Sequence, residues 1–400
     1  MSGANAANDW RSDVDDVDAV LLDGLQSGFP VRRRPFDSLS DAVGRAVASD
    51  TADDGSCVPD DESTSIEPAA IVERVRDLDR RELVRRLGPV LDPSAIGSST
   101  LAALRVPNDA LGTVVDVVNG YPEVTHNYRR DHEWNVWFVV TAESRARRNA
   151  ILDEIADRTG YDPLNLPKRT EYALDLQFPV IGDRTADSSP LEIDPPLETD
   201  REGTATSPGR DGSSATSRDV RSAPTSPHSP HDGELSTLDR RLLEAIQDGF
   251  PITTTPYADV ADDLSVDADE IVDAIESLVA AGFIKRLGLV IDHRAVGFRH
   301  NRLVAWDVPS DEIDEAGARA SECPHVTKCY HRPARPERGW PFTLFTMVHG
   351  RDPDRVDEWI TELATDRLPY PYTSLDTVER FKQTGTRYET LLSTGGIEDT

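Results

Sequence analysis

Four hundred residues, 38% of them hydrophobic, suffice for two or three domains with real cores. A formal net charge of -30, from 73 acidic against 43 basic residues, argues against a general binder of nucleic acid or acidic membranes, whose fields repel such a surface. Cys57, Cys323 and Cys329 lack metal-site spacing, so neither a disulfide framework nor a zinc site is expected, and no metal ligands are assigned. The absence of a basic-plus-apolar leader and of any apolar run long enough to span a bilayer gives the expectation of a soluble, cytoplasmic protein with no membrane contact.

The chain repeats itself. Asp18-Ala-Val-Leu-Leu-Asp-Gly-Leu-Gln-Ser-Gly-Phe-Pro-Val31 returns as Asp239-Arg-Arg-Leu-Leu-Glu-Ala-Ile-Gln-Asp-Gly-Phe-Pro-Ile252, and both lead to a proline-aromatic pair, Pro35-Phe36 and Pro256-Tyr257. Arg85-Arg-Leu-Gly88 recurs as Lys285-Arg-Leu-Gly288, and Tyr128-Arg-Arg130 as Tyr330-His-Arg332. This is a tandem duplication, and a fused pair lets one half diverge so that a single asymmetric site forms between them. In chain order, 14–92 reads as a helical unit with an acidic insertion near 49–65, and 93–181 as an α+β unit with strands near 99–106, 124–131, 135–143 and 171–178. The Ser, Thr, Pro, Gly and Asp of 182–234 predict a disordered linker. In the second copy, 235–295 carries helices at 239–249, 257–264 and 267–281, the last ending at Gly282, and then a strand at 283–291. Residues 296–390 follow with strand 301–308, helix 311–322, strands 325–332 and 342–350, helix 353–366 and strand 374–382. Three helices and a β-ribbon make a winged helix-turn-helix, and the order βαββαβ is ferredoxin-like, so the fold class is α+β with each half containing one of each.

This architecture resembles the Lrp/AsnC transcription regulators, whose third helix carries arginines that hold DNA. At those positions the second copy has Ala274 and Ser277 among Asp267, Asp269, Glu270, Asp273 and Glu276. The first keeps Arg74 but has Asp77 at the second position and Glu82 in place of the capping glycine. An acidic helix meets phosphate with repulsion, so DNA readout is disfavoured. The run Arg32-Arg33-Arg34 reads as a solvated or carboxylate-paired patch. Abundant Asp and Glu with only four lysines resembles the composition of salt-loving archaeal proteins.

The densest polar-aromatic segment is Val124-Thr-His126-Asn-Tyr128-Arg-Arg130-Asp-His132-Glu-Trp134-Asn135-Val-Trp137-Phe138. On a strand, a period of two puts His126, Tyr128 and Arg130 on one face, and the second copy matches it with Lys328, Tyr330 and Arg332. Imidazole, phenol and guanidinium together bind a carboxylate and deliver a proton. An arginine-tyrosine pair on a strand is often ordinary packing; its recurrence in both copies, with aromatics close behind, favours a site. His293, His300 and His349 fall in loops or strand ends and read as structural or solvent-facing, and His331 points to the opposite face.

The Gly-Phe-Pro endings, the His126-Asn-Tyr-x-Arg130-x-His132-Glu-x-Asn135 run and the Cys329-Tyr-x-Arg-Pro…Trp340-Pro-Phe run are similar to the sirohaem decarboxylases of the same superfamily. The resemblance implies an internal pseudo-heterodimer that converts sirohaem to 12,18-didecarboxysirohaem with loss of two CO2. It also implies no organic cofactor, the iron being carried by the substrate, and leaves other enzymes of haem biosynthesis as potential partners. His126 is then the proton donor or a contact to the iron. Arg130 and Arg332 hold carboxylates, Tyr128 and Tyr330 orient them, Lys328 binds substrate, His132 stands behind, and Trp134 and Trp340 pack on the macrocycle. Two departures from the family stand out: Lys328 where histidine is common in the second half, and Thr343 where asparagine is. The competing reading is an Lrp/AsnC-type regulator or haem-responsive sensor.

Overall fold

The computed structural model describes residues 14–50, 65–174, 177–180, 191, 235–384 and 388. Both helical units form as the sequence predicts. In the first, α1 (Asp16–Ser27), α2 (Pro35–Asp50) and α3 (Pro68–Arg80) precede strand β1 (Val84–Leu91). The Asp15 side chain accepts from the Asp18 amide to start α1, satisfying one of the amides a helix leaves unpaired. Glu82 adopts φ 59, the left-handed turn that Gly282 makes in the second copy at φ 77. A short helix α4 (Pro93–Ile96) leads to β2 (Ser98–Leu104), α5 (Leu111–Asn119), β3 (Val124–Arg130), β4 (Val136–Ala142) and α6 (Arg145–Thr159). Two further short strands close this half, β5 (Leu164–Pro167) and β6 (Thr170–Leu174).

The second half runs α7 (Thr237–Ile246), α8 (Pro256–Leu264), α9 (Ala268–Ala280), β7 (Ile284–Ile291), β8 (His300–Trp306), α10 (Ile313–Ser321), β9 (Val326–His331) and β10 (Leu344–Gly350). Helix α11 (Pro353–Glu362) then relaxes into a π turn at Leu363–Arg367 before the long strand β11 (Tyr372–Gln383).

Where the structure departs from the sequence-based expectation, it does so between the halves. The β-ribbon is not a hairpin within each unit: β1 pairs antiparallel with β7, with Gly88 opposite Gly288. Those glycines explain the repeated Arg-Leu-Gly landmark. A Cβ on Gly288 would lie 2.3 Å from the Leu25 carbonyl oxygen, and one on Gly88 2.8 Å from the Gly249 Cα. The ribbon and the helices of both units share one apolar core, from Leu21 and Phe36 to Tyr257 and Leu289.

The strand expected at 171–178 is a second correction. β5 pairs with β2 of its own half, whereas β6 crosses to pair with β9 of the other. β11 does the same in reverse, lying beside β8 over its first residues and beside β3 over its last. The result is one nine-stranded arrangement in the order β5-β2-β4-β3-β11-β8-β10-β9-β6. Trp134, Trp137, Trp340, Phe345, Leu166 and Leu375 fill the apolar core shared by the two halves. After β6 the chain returns to the first helical unit, where Gln26 donates to the Phe178 carbonyl at 3.0 Å and accepts from its amide at 2.8 Å.

Most of the insertion near 49–65 and of the linker at 182–234 lies outside the described residues, as does Cys57. The exception in the linker is Leu191, buried at 3% exposure in the first helical core. Cys323 and Cys329 are free thiols. Among the described residues no helix is long and apolar enough to cross a membrane.

Candidate active site

β3 presents the expected face. The rings of His126 and Tyr128 are 6.2 Å apart, and the Arg130 guanidinium carbon stands 5.2 Å from the Tyr128 ring. In the second half the Arg332 carbon stands 5.4 Å from the Tyr330 ring. Arg130 is buried and Arg332 half-buried, and both tie the halves together. Arg130 Nη1 donates to the Leu375 carbonyl at 2.9 Å and to Thr377 Oγ1 at 2.7 Å, and Arg332 Nη1 donates to the Leu166 carbonyl at 2.6 Å. One nitrogen of each, Nε, is buried without a partner among the described residues and retains the capacity to bind an anion.

The surroundings of the first face are cationic. Burial, reinforced by the charges of Lys328 and Arg85, pushes His126 down to about 4, so the imidazole is neutral at neutral pH. Burial likewise pushes the Tyr128 phenol up, opposed by Arg130, Arg380, Arg85 and Arg294. Lys328 comes from the second half, Arg85 from β1, Arg294 from the segment after β7, and Arg380 from β11 opposite Tyr128. His293, also lowered to about 4 mainly by burial, stacks on Phe178 at 5.0 Å and lies 5.4 Å from His349. Arg85, Arg294 and Arg380 carry no local signal for this face, because pairing between the halves delivers them. The available signal was divergence: the first copy has Pro93 and Ser94 where the second has His293 and Arg294.

The second face is different. Lys328 is half-buried and its pKa is lowered by desolvation, with Glu171 pulling the other way. Glu171 of β6 sits opposite Tyr330 and is held by Lys168 at 2.8 Å and Lys285 at 2.5 Å. Lys285 also meets Asp92 at 3.3 Å.

The tryptophans stand elsewhere. Trp340 is fully buried and packs on Trp137 at 5.2 Å, on Phe342 at 4.9 Å and on His132 at 5.7 Å. Trp134, 3% exposed, lies between the guanidinium carbons of Arg105 at 4.4 Å and Arg338 at 5.2 Å. Both indoles belong to the core shared by the halves, which leaves no free ring face for a macrocycle here. His132 Nδ1 accepts from the Trp134 amide at 3.0 Å, a turn-stabilising contact. Thr343 replaces asparagine without structural loss: its hydroxyl accepts from the Val308 amide at 3.2 Å and donates to its carbonyl at 2.8 Å, as the Asn135 side chain bonds both groups of Val106.

Three arginines that the sequence singles out in the first helical unit are engaged internally. Arg74 pairs with Asp15 and Asp18 at 2.8 Å, Arg34 with Asp37 at 2.6 Å, and Arg33 with Asp269 of the other half.

Comparison with known proteins agrees with this arrangement. Residues 95–173 and 295–382 match the AsnC-like ligand binding domain, and 239–284 match the siroheme decarboxylase NirDL-like HTH domain. The siroheme decarboxylase NirDL subunit of Paracoccus pantotrophus is 30% identical over 339 residues, covering 84% of this chain and 86% of that protein. This chain belongs to the sirohaem decarboxylases. The siroheme decarboxylase beta subunit of Methanosarcina barkeri is 38% identical over 149 residues, 37% of this chain and 97% of that subunit. A crystal structure of siroheme decarboxylase NirDL in co-complex with an iron-uroporphyrin III analogue shares the fold, with a TM-score of 0.60 and 20% identity over 94% of this chain and 96% of that one. The chain is therefore a sirohaem decarboxylase.

The depressed His126 pKa has a measurable consequence. The unfolded imidazole titrates near 6.5 and the folded one near 4, so below pH 6.5 the unfolded chain binds the extra proton. The stability contributed by the neutral ring is complete above pH 6.5 and is lost as pH falls towards 4, by roughly 3 kcal/mol at about 1.4 kcal/mol per unit. Urea unfolding of wild type and His126→Gln across this window should show a shallower decline for the variant. Parallel curves would mean that the imidazole is not desolvated.

Proposed function

We propose that the His126 face is where sirohaem loses two acetate carboxyls, giving 12,18-didecarboxysirohaem and two CO2 without an organic cofactor. The observation that carries this reading is the convergence of Arg85, Arg294 and Lys328 with Arg130 and Arg380 on one imidazole and one phenol, a set suited to a ligand with many carboxylates. In each step the carbon-carbon bond to the carboxylate breaks, CO2 leaves, and the electron pair passes into the tetrapyrrole. A proton then converts the side chain to methyl. The protein supplies orientation, exclusion of water and that proton.

His126 is the proton donor in this reading. Its ring is neutral in the free protein because Lys328 and Arg85 add to the cost of burial. Substrate carboxylates offset those charges on binding, which raises the pKa and lets the ring take up a proton. The alternative to proton donation is a contact to the substrate iron, which neutral imidazole can make; in that case His126→Ala would change the ferric sirohaem spectrum and weaken binding as well as rate. The relative bound to an iron-uroporphyrin III analogue supports a ligand of this class, and the match of a separate subunit to part of the chain supports an internal pseudo-heterodimer.

Anaerobic incubation of the purified protein with sirohaem, followed by mass, tests the proposal with no cofactor added. Loss of two carboxyl masses is the expected result. Loss of one would confine the chemistry to a single side chain, and tight binding without mass change would refute catalysis.

A further inference from the structure

The two faces are related by the duplication, yet their charge is inverted at one register position. β11 runs antiparallel to β3 with Arg380 opposite Tyr128, and β6 runs antiparallel to β9 with Glu171 opposite Tyr330. Both pairings carry an irregularity just beyond these residues, between Arg380 and Lys382 and between Glu171 and Ala173. The strands are therefore in the same register, and directly opposed residues project on one face of a sheet.

The consequences differ. Arg380 is exposed, and among the described residues its side chain donates to the amide oxygen of Gln383 at 2.8 Å. Glu171 is largely buried, its side chain 18% exposed, and is clasped by Lys168 and Lys285. Burial alone would hold its proton, but the two lysines outweigh it and keep the carboxyl below its ordinary range. The flanking ion pairs match as well: Arg85 to Asp292 at 2.8 Å beside the first face, Lys285 to Asp92 at 3.3 Å beside the second. Among the described residues, one face thus offers a cation with no carboxylate on it, and the other holds a carboxylate with its cations already in place.

We propose that Arg380 and Glu171 decide which of the two related faces takes a substrate carboxylate: Arg380 admits one beside Tyr128, and Glu171 fills the matching place beside Tyr330 with the protein's own. Glu171 acts as an internal stand-in for a substrate side chain. It lets the second copy keep its tyrosine, arginine and lysines without competing for the ligand. This selects one binding orientation for a ligand bearing carboxylates on all sides, and it rests on the sirohaem reading above.

The test is anaerobic absorbance titration of the full chain with sirohaem. Arg380→Gln should weaken binding about tenfold, the loss of one charge-assisted hydrogen bond, and Arg380→Lys should restore most of it. Arg380→Glu, which installs the second face's carboxylate on the first, should weaken it further. Glu171→Gln should bind sirohaem several-fold more tightly or take up a second equivalent, since Lys168 and Lys285 lose their counter-ion. Arg380 is exposed, so its variants stay informative if Glu171→Gln fails to fold. Wild-type affinity in Arg380→Glu, or unchanged affinity and stoichiometry in folded Glu171→Gln, would overturn the pair alone. No sirohaem binding by the wild type would overturn the functional reading and this one with it.

Discussion

Replacing His126 with alanine is expected to slow sirohaem decarboxylation by about 10²–10⁴-fold, the usual contribution of a positioned acid, while sirohaem affinity changes little. In this reading, affinity comes from guanidinium and ammonium groups contributed by four other regions of the chain, those of Arg85, Arg294, Lys328 and Arg380. Rate is different, because His126 is the titratable ring on the face, 6.2 Å from Tyr128, that can carry a proton near neutral pH once substrate carboxylates offset the charges of Lys328 and Arg85. Single-turnover rates and titrations on the same preparation separate the two effects. The wild-type rate should also fall as pH rises through the pKa of the liganded imidazole, and that limb should be absent in the variant. A rate within tenfold of wild type would remove His126 from the chemistry.

The parts of this site that local pattern dictates were legible in the sequence. Alternation along 124–131 put His126, Tyr128 and Arg130 together, and the duplicated landmarks located the second face. The parts that depend on which copy pairs with which were not. β1 has the same kind of edge as β7, so nothing local says that the ribbon forms between units instead of within one. After α6 the sequence suggests a single strand at 171–178, but two form, β5 at Leu164–Pro167 and β6 at Thr170–Leu174, and they pair with different halves. Arg380 and Glu171 reach their faces only through such crossings, and so they carry no signal in their own neighbourhoods. Trp134 and Trp340 show the opposite difficulty. An aromatic beside a polar run fits either a ligand or a core, and only the closure of the two halves on one another makes these indoles core. Glu82 illustrates tertiary override: a glutamate takes the left-handed conformation that glycine prefers, because the helix must turn there into β1.

The second large effect concerns stability. Arg130→Ala should destabilise the fold by about 3 kcal/mol, the range for breaking a buried charged group out of its hydrogen bonds. The guanidinium spans the seam between β3 and β11, and its two acceptors, Leu375 and Thr377, both belong to the other half. Burial lowers its pKa only to about 10, so it remains charged across the working range, and its removal leaves the Leu375 carbonyl without that donor. Arg332→Ala should cost a similar amount, because Arg332 makes the same bridge in reverse to Leu166. Each variant should lower the urea midpoint more than Arg380→Gln, whose side chain is exposed. The comparison also separates two roles for Arg130. A strap predicts the same loss for Arg130→Ala and Arg332→Ala with or without sirohaem. A guanidinium held for substrate predicts an unchanged midpoint in the free protein and lost affinity in Arg130→Ala alone. The buried Nε without a partner allows the first role to coexist with a carboxylate contact, so a destabilised Arg130→Ala that also binds sirohaem weakly, beside a destabilised Arg332→Ala that binds normally, would assign both functions to the one residue.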